Sequence, residues 1–330
     1  MLFFAVTCAA GERAGAVAAT AASPAAIPQV RVVRDVAYLD HDRTEKLDLY
    51  FPPDLLIATT SGTGEAPAST PVPPPRAAVV YLHGGGWVSG DKGQARDINM
   101  SVQLAQAGYV CANANYRLGP NSWPTNLLDC KNAVRFLRAN AAKHRIDPKR
   151  IAVVGTSAGA HLALLLGFTA DQPDFEPVAP YPGISSRVSA IVELYGVTNP
   201  LTRRAVDKAT GEATAEWADA NTPVVLGAMR QEDPARWARF APVNHAAAHS
   251  PPVLIIHGLA DPVVSYLQAV ELAKILGEKG VEHELVLLPG VVHQFDLQTT
   301  PHLGGAALPR DLRPVVYNFL TRHLREPRNP

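Results

Sequence analysis

This chain of 330 residues has little cysteine, no surplus of either charge and no long apolar run. Each shortage excludes a class of protein. Three cysteines, Cys8, Cys111 and Cys130, cannot build a disulfide framework, and none has the Cys/His spacing of a zinc site. Cys111 lies in a strand-like run and Cys130 in a helix-like one, so both read as small core hydrophobes. Thirty Lys and Arg residues balance thirty Asp and Glu. That removes the electrostatic footprint of a nucleic-acid binder or of a protein that works on anionic membranes. The arginines near the end (Arg310, Arg313, Arg322, Arg325 and Arg328) read as the solvated face of a last helix and its tail. No later stretch is long and apolar enough to span a bilayer.

The start of the chain is also short of something. "MLFFAVTCAA" is apolar, and the Ala-rich "AGAVAATAASPAA" after it offers small-residue cleavage sites, but no basic residue precedes them. A secretory signal needs that positive start. Residues 1–28 are therefore expected to be a leader or a disordered segment. Export to the periplasm or medium and retention in the cytoplasm stand as equal expectations.

What is present is 47% hydrophobic residues in a repeating order. From residue 29 to 330 the pattern is that of one domain with an ample core. "VRVVRDVAYL" and "KLDLYFP" predict an antiparallel strand pair. Residues 57–76 are rich in Pro, Ser, Thr and Gly and predict an exposed loop. Strands ("AAVVYLHG", "YVCANANYR", "RIAVVG", "VSAIVELYG", "PVLIIHG", "HELVLLPG") then alternate with helical stretches at 95–108, 126–144, 158–168, 265–280 and 310–324. Residues 197–250 read as an irregular, cap-like insertion. Apolar strands alternating with amphipathic helices predict an α/β fold with a mostly parallel central sheet, covered by helices on both faces.

Two glycine clusters carry the chemistry. Gly155-Thr156-Ser157-Ala158-Gly159 is GxSxG at a strand-to-helix junction. There a sharp turn lifts the serine above the sheet, and small neighbours avoid clashes. The pattern alone arises by chance in roughly one chain of this length in ten, as an ordinary glycine-rich turn. Its place after "RIAVV" makes it specific. "YLHGGGWVSGDK" puts Gly84, Gly85 and Gly86 after an earlier strand. An acyl-transfer serine generates an oxyanion, and bare backbone N–H groups must reach it. Two of those three glycines, with Ala158, would supply them. His83 is expected to orient this loop rather than act as a base.

A serine nucleophile needs a base and an orienting acid, in the chain order Ser, acid, His for this architecture. Asp261 follows the strand "VLIIHG" and His293 follows "ELVLLPG", and active groups gather at such carboxyl ends. Among competing residues, His161 is expected to pack in the following helix. His257 stands too near Asp261 in sequence to be its partner. Asp129 is expected to be structural, with Arg117 bracing the loop by an ion pair. Trp87, Tyr195 and Phe295, with Trp123, are candidates for an aromatic substrate wall. No metal site and no cofactor are expected.

The chain resembles the α/β-hydrolases, and within them the esterase/lipase group with an HGGGW loop, close to hormone-sensitive-lipase-like and bacterial feruloyl-esterase-like carboxylesterases. The resemblance runs from about Val30 to Leu324 through "LDLYFP", "YLHGGGWVSGDK", "NYRL", "IDPKRIAVVGTSAGAHLA", "ELYG", "PVLIIHGLADPVV" and "LPGVVHQF". It implies Ser157 as nucleophile, Asp261 as acid, His293 as base, and oxyanion donors from the HGGG loop and Ala158. The implied activity is hydrolysis of short-chain or aromatic-acid esters, with a small-molecule ester as partner. An arylformamidase or amidase would use the same triad, and a non-catalytic binding protein would share the fold. The sequence departs from the family at Ala160, where a glycine is usual, and in the Pro-rich insertion.

Overall fold

The computed structural model describes residues 29–55, 74–170, 172–207, 210, 212–218, 221–299 and 307–325. The expected leader and most of the expected 57–76 loop lie outside the described residues.

The first two strands, β1 (Arg31–Ala37) and β2 (Lys46–Phe51), pair antiparallel, as their alternation requires. Next come β3 (Arg76–Leu82), α1 (Ala95–Gln106), β4 (Val110–Ala114), α2 (Thr125–Ala139), α3 (Ala141–His144), β5 (Ile146–Thr156) and α4 (Ala158–Phe168). β6 (Ile191–Leu194) leads into the region of the expected insertion. The chain then returns through β9 (Val253–Gly258), α7 (Leu267–Glu278), β10 (His283–Leu288) and α8 (Arg313–His323).

Eight strands form one sheet in the order β1-β2-β4-β3-β5-β6-β9-β10. β2 pairs antiparallel with β4, and every pair from β4 to β10 is parallel. Each central strand is buried on both faces, which is why its sequence is a continuous apolar run. One face packs on α2, α4 and α7 through Leu127, Leu162, Leu165 and Leu272. The other packs on α1 and α8 through Met100, Leu104, Val316 and Phe319. α4 is buried along its whole length, so it has no polar face. The described residues contain no helix long and apolar enough to cross a membrane.

Two expectations about elements need correction. The single helix expected over 126–144 breaks at Asn140, and Arg145 (φ 56°) closes the short second piece in the left-handed conformation. The stretch 197–250 is not wholly irregular among its described residues. It holds the hairpin β7 (Arg204–Val206) and β8 (Ala213–Trp217), the helices α5 (Thr222–Leu226) and α6 (Pro234–Phe240), and a 3₁₀ turn at Pro242–His245. Trp237 and Phe240 of α6 are fully buried, and Phe240 packs edge-on against Trp87 and Trp123. Part of this region is therefore core. Elements of three to seven residues are too short to show a helical or strand period in sequence.

Candidate active site

Ser157 stands between β5 and α4 with φ 52° and ψ −117°, a conformation rare for any residue but glycine. Two close approaches impose it. A Cβ on Gly155 would lie 2.6 Å from the Ala160 nitrogen and overlap the Gly159 carbonyl. A Cβ on Gly159 would overlap the carbonyl oxygens of Leu82 and His83 at the end of β3. Both glycines of GxSxG thus let the turn close and let α4 sit against β3. Strain of this kind is typical of functional positions.

The parallel register brings three strand ends together. Asp261 follows β9, and His293 follows the adjacent β10. His293 Nδ1 lies 2.6 Å from Asp261 Oδ2, and His293 Nε2 lies 3.0 Å from Ser157 Oγ. A carboxylate only accepts, so Nδ1 carries the proton and Nε2 is left to accept from the serine hydroxyl. The other carboxylate oxygen, Asp261 Oδ1, accepts from the backbone N–H groups of Val263 and Val264 at 2.8 and 2.9 Å. Burial alone would raise the Asp261 carboxyl, but hydrogen bonds from His257 and His293 hold it well below the usual carboxylate range.

The glycine loop faces this array. The Gly84 carbonyl accepts from His83 Nδ1 at 2.7 Å. The Gly85 carbonyl accepts from the Val88 and Ser89 N–H groups and the Ser89 hydroxyl. In a trans peptide the N–H points opposite the carbonyl. The N–H groups of Gly85 and Gly86 are therefore turned away from those partners, and neither donates to an acceptor among the described residues. Gly85 and Gly86 line a cleft of about 280 Å³ together with Ser157, Ala158 and His293. Gly84 lies one step behind, where an added Cβ would come 3.2 Å from Ser157 Cβ. His83 is buried, stacks on Tyr116 at 4.5 Å and braces the loop through Gly84, the expected arrangement.

Trp87 contributes to the cleft lining, but its side chain is buried against His161 and Phe240. Tyr195 and Phe295 do not line the cleft, which corrects the expected aromatic wall. Both are fully buried behind the site. The Tyr195 ring meets the His293 ring edge-on at 4.8 Å, and its hydroxyl donates to the Phe295 carbonyl at 3.0 Å. They pack behind His293 rather than line the cleft. The remaining walls are Val88, Ser89, Val197, Arg203, Asn221, Val263, Val264 and Gln294. Arg203 and Asn221 come from the region read as irregular, so no motif pointed to them.

Three other readings can be placed. His161 is fully buried, with Nε2 2.8 Å from the Phe240 carbonyl, and burial pushes it down to about 3. Asp129 is structural, but Arg43 braces it, with bonds of 3.0 and 2.7 Å, while Arg117 contributes only its backbone N–H. His257 is not the histidine that bridges Asp261 to Ser157, but its Nε2 lies 3.3 Å from Asp261 Oδ2. The tight turn after β9, closed by Asp261 N–H to the Gly258 carbonyl, folds the carboxylate back over it.

A larger cavity of about 440 Å³, lined by Arg76, Arg150 and Arg325, lies at the amino-terminal end of β3. It is far from the serine. The described residues hold no group of three or more His, Cys, Asp or Glu side chains arranged to bind a metal.

A mostly parallel sheet covered on both faces, with a serine turn after β5, an acid after β9 and a histidine after β10, defines an α/β-hydrolase. The BD-FAE family model matches residues 67–276, and the chain belongs to that feruloyl-esterase-like family of α/β-hydrolase carboxylesterases. Its curated relatives include the probable carboxylic ester hydrolase LipM of Mycobacterium tuberculosis, 31% identical over 88% of this chain and 63% of that protein. The ethyl acetate hydrolase of Pseudomonas putida is 33% identical over 66% of each chain. The chain spans 56–63% of the length of the M. tuberculosis relatives it matches. Among solved structures, a truncated carbohydrate esterase from gut microbiota shares the fold, with a TM-score of 0.73 at 23% identity over 92% of this chain and 99% of that one.

Proposed function

We propose that this protein is a serine carboxylic ester hydrolase that acts on short-chain or aromatic-acid esters. One observation carries the reading: an unbroken hydrogen-bonded path from Ser157 Oγ through His293 to Asp261, set at a small cleft opposite Gly85 and Gly86. The names of the relatives, esterases and an ethyl acetate hydrolase, support it.

In this reading His293 Nε2 takes the Ser157 proton as Oγ attacks the ester carbonyl. The N–H groups of Gly85, Gly86 and Ala158 receive the developing oxyanion. His293 then protonates the leaving alcohol, and water releases the acid by the reverse proton path. Asp261 holds the tautomer that leaves Nε2 free and stabilises the imidazolium. A cleft of about 280 Å³ favours a small acyl group, since sites for larger ligands run to roughly 1,000 Å³. The polar Arg203 and Asn221 at its wall are unlike the broad apolar lid an oil-surface lipase needs.

The test is turnover of p-nitrophenyl acetate, butyrate and palmitate with methyl ferulate alongside. The expected result is that acetate, butyrate or ferulate exceeds palmitate in kcat/KM. Palmitate hydrolysed fastest, with activation at an emulsion surface, would overturn the substrate reading.

A further inference from the structure

We infer that His257 is a positioning residue for the triad acid, holding the Asp261 carboxylate through Nε2–H so that its Oδ2 atom is shared between two histidines. The inference rests on the proposed role of Asp261.

The geometry assigns the His257 proton without ambiguity. His257 Nε2 lies 2.9 Å from the Val264 carbonyl oxygen and 3.3 Å from Asp261 Oδ2. Both oxygens only accept, so Nε2 must carry hydrogen and share it between them. Asp261 then has Oδ1 filled by two backbone N–H groups and Oδ2 filled by His293 at 2.6 Å and His257 at 3.3 Å. Four donors fix the plane of the carboxylate. With a weaker set, it could rotate and carry the His293 ring with it.

His257 is fully buried and does not line the cleft. The groups around the pair are Glu193 on β6, Tyr195 just after it, Asp261 itself and His293. Glu193 Oε1 accepts from the Gly196 N–H at 2.5 Å, while Glu193 Oε2 and His257 Nδ1 are buried with no hydrogen-bond partner among the described residues. Burial would pull the His257 imidazole down, but its bond to Asp261 and the charges of Glu193 and Asp261 hold it above its ordinary value. The second donor on Oδ2 withdraws negative charge from the oxygen that faces His293.

His257→Phe keeps the ring volume and removes the donor. The expected result is a fall in kcat of about 10-fold or more with KM little changed, because misalignment of a catalytic group costs rate rather than binding. His257→Gln places an amide N–H near the Nε2 position and should restore most of the rate. In the wild-type protein, nitrogen NMR of the histidines should show His257 protonated at Nε2.

Folded His257→Phe with an unchanged kcat would overturn the inference. So would a His257→Gln variant as impaired as His257→Phe, or a wild-type His257 protonated at Nδ1 alone. Asp261→Asn separates the two readings. If it retains full activity, the triad assignment itself fails. If it is inactive while the His257 variants are normal, only the inference about His257 fails.

Discussion

Gly159→Ala tests how the two glycine clusters depend on each other. The added Cβ would fall about 1 Å short of an ordinary contact with the Leu82 carbonyl oxygen and would crowd the His83 carbonyl as well. Neither oxygen can retreat easily, because β3 lies mid-sheet, paired with β4 on one side and β5 on the other. α4 must move instead, and α4 begins at Ala158, next to Ser157. The displacement therefore passes directly into the gap between the serine and the Gly85–Gly86 loop. Overpacking of this kind costs roughly 1–3 kcal/mol of stability. A 1 Å misplacement of catalytic groups costs about 10²-fold in rate. The assay is kcat and KM with p-nitrophenyl acetate, together with thermal unfolding. Gly108→Ala is the control: it has φ +97° and nothing within 4 Å of the added carbon. It should lose on the order of 1–3 kcal/mol from backbone strain and keep its turnover. A Gly159→Ala enzyme with wild-type kcat would refute the argument that this glycine sets the distance between nucleophile and loop.

Other outcomes follow from the same geometry. Ser157→Ala should fold normally and lose roughly 10⁴–10⁶ in kcat, and adding His293→Ala should cost little more, because the triad acts as a unit. Replacing Gly85, whose φ is +125° and whose added Cβ would overlap the Ser89 carbonyl, should lower kcat by at least about 10²-fold as an oxyanion donor is displaced. Glu193 gives a pH effect with a definite sign. Burial pushes its carboxyl up to about 7 from an ordinary 4.5, so between those values the folded state holds a proton that the unfolded state has released. Stability then falls as pH rises through that window, by up to roughly 3 kcal/mol from this group. His257, also held above its ordinary value, acts in the same direction. Glu193→Gln should shrink the difference in urea unfolding between pH 5 and pH 8; an undiminished difference would mean that Glu193 is ionised when folded.

The sheet and the three strand-end residues were legible because their chemistry tolerates few alternatives. Strands buried on both faces must be apolar throughout, and a serine on a sharp turn needs glycine on either side. The contact from His257 to Asp261 was not legible because a four-residue spacing does not say how tightly the backbone turns between them. The turn from Gly258 to Asp261 reverses the backbone within four residues and brings the carboxylate back over the strand end. Tyr195 and Phe295 were misread for a related reason. Standing next to a catalytic strand end does not say which way a ring points, and both turn inward behind His293. The stretch 197–250 concealed Arg203 and Asn221 because its helices and strands are short and its packing surface is split between α6 and the turn after it.

The central claim is that Ser157 is the nucleophile, activated by His293. A fluorophosphonate probe reports this directly, since it forms a stable bond only with an activated serine. Incubation with the active protein, intact mass and peptide mapping should give one adduct per chain, on Ser157, with activity lost in step. A His293→Ala variant should label far more slowly. Labelling of a different serine with loss of activity, or full activity with no labelling, would contradict the account.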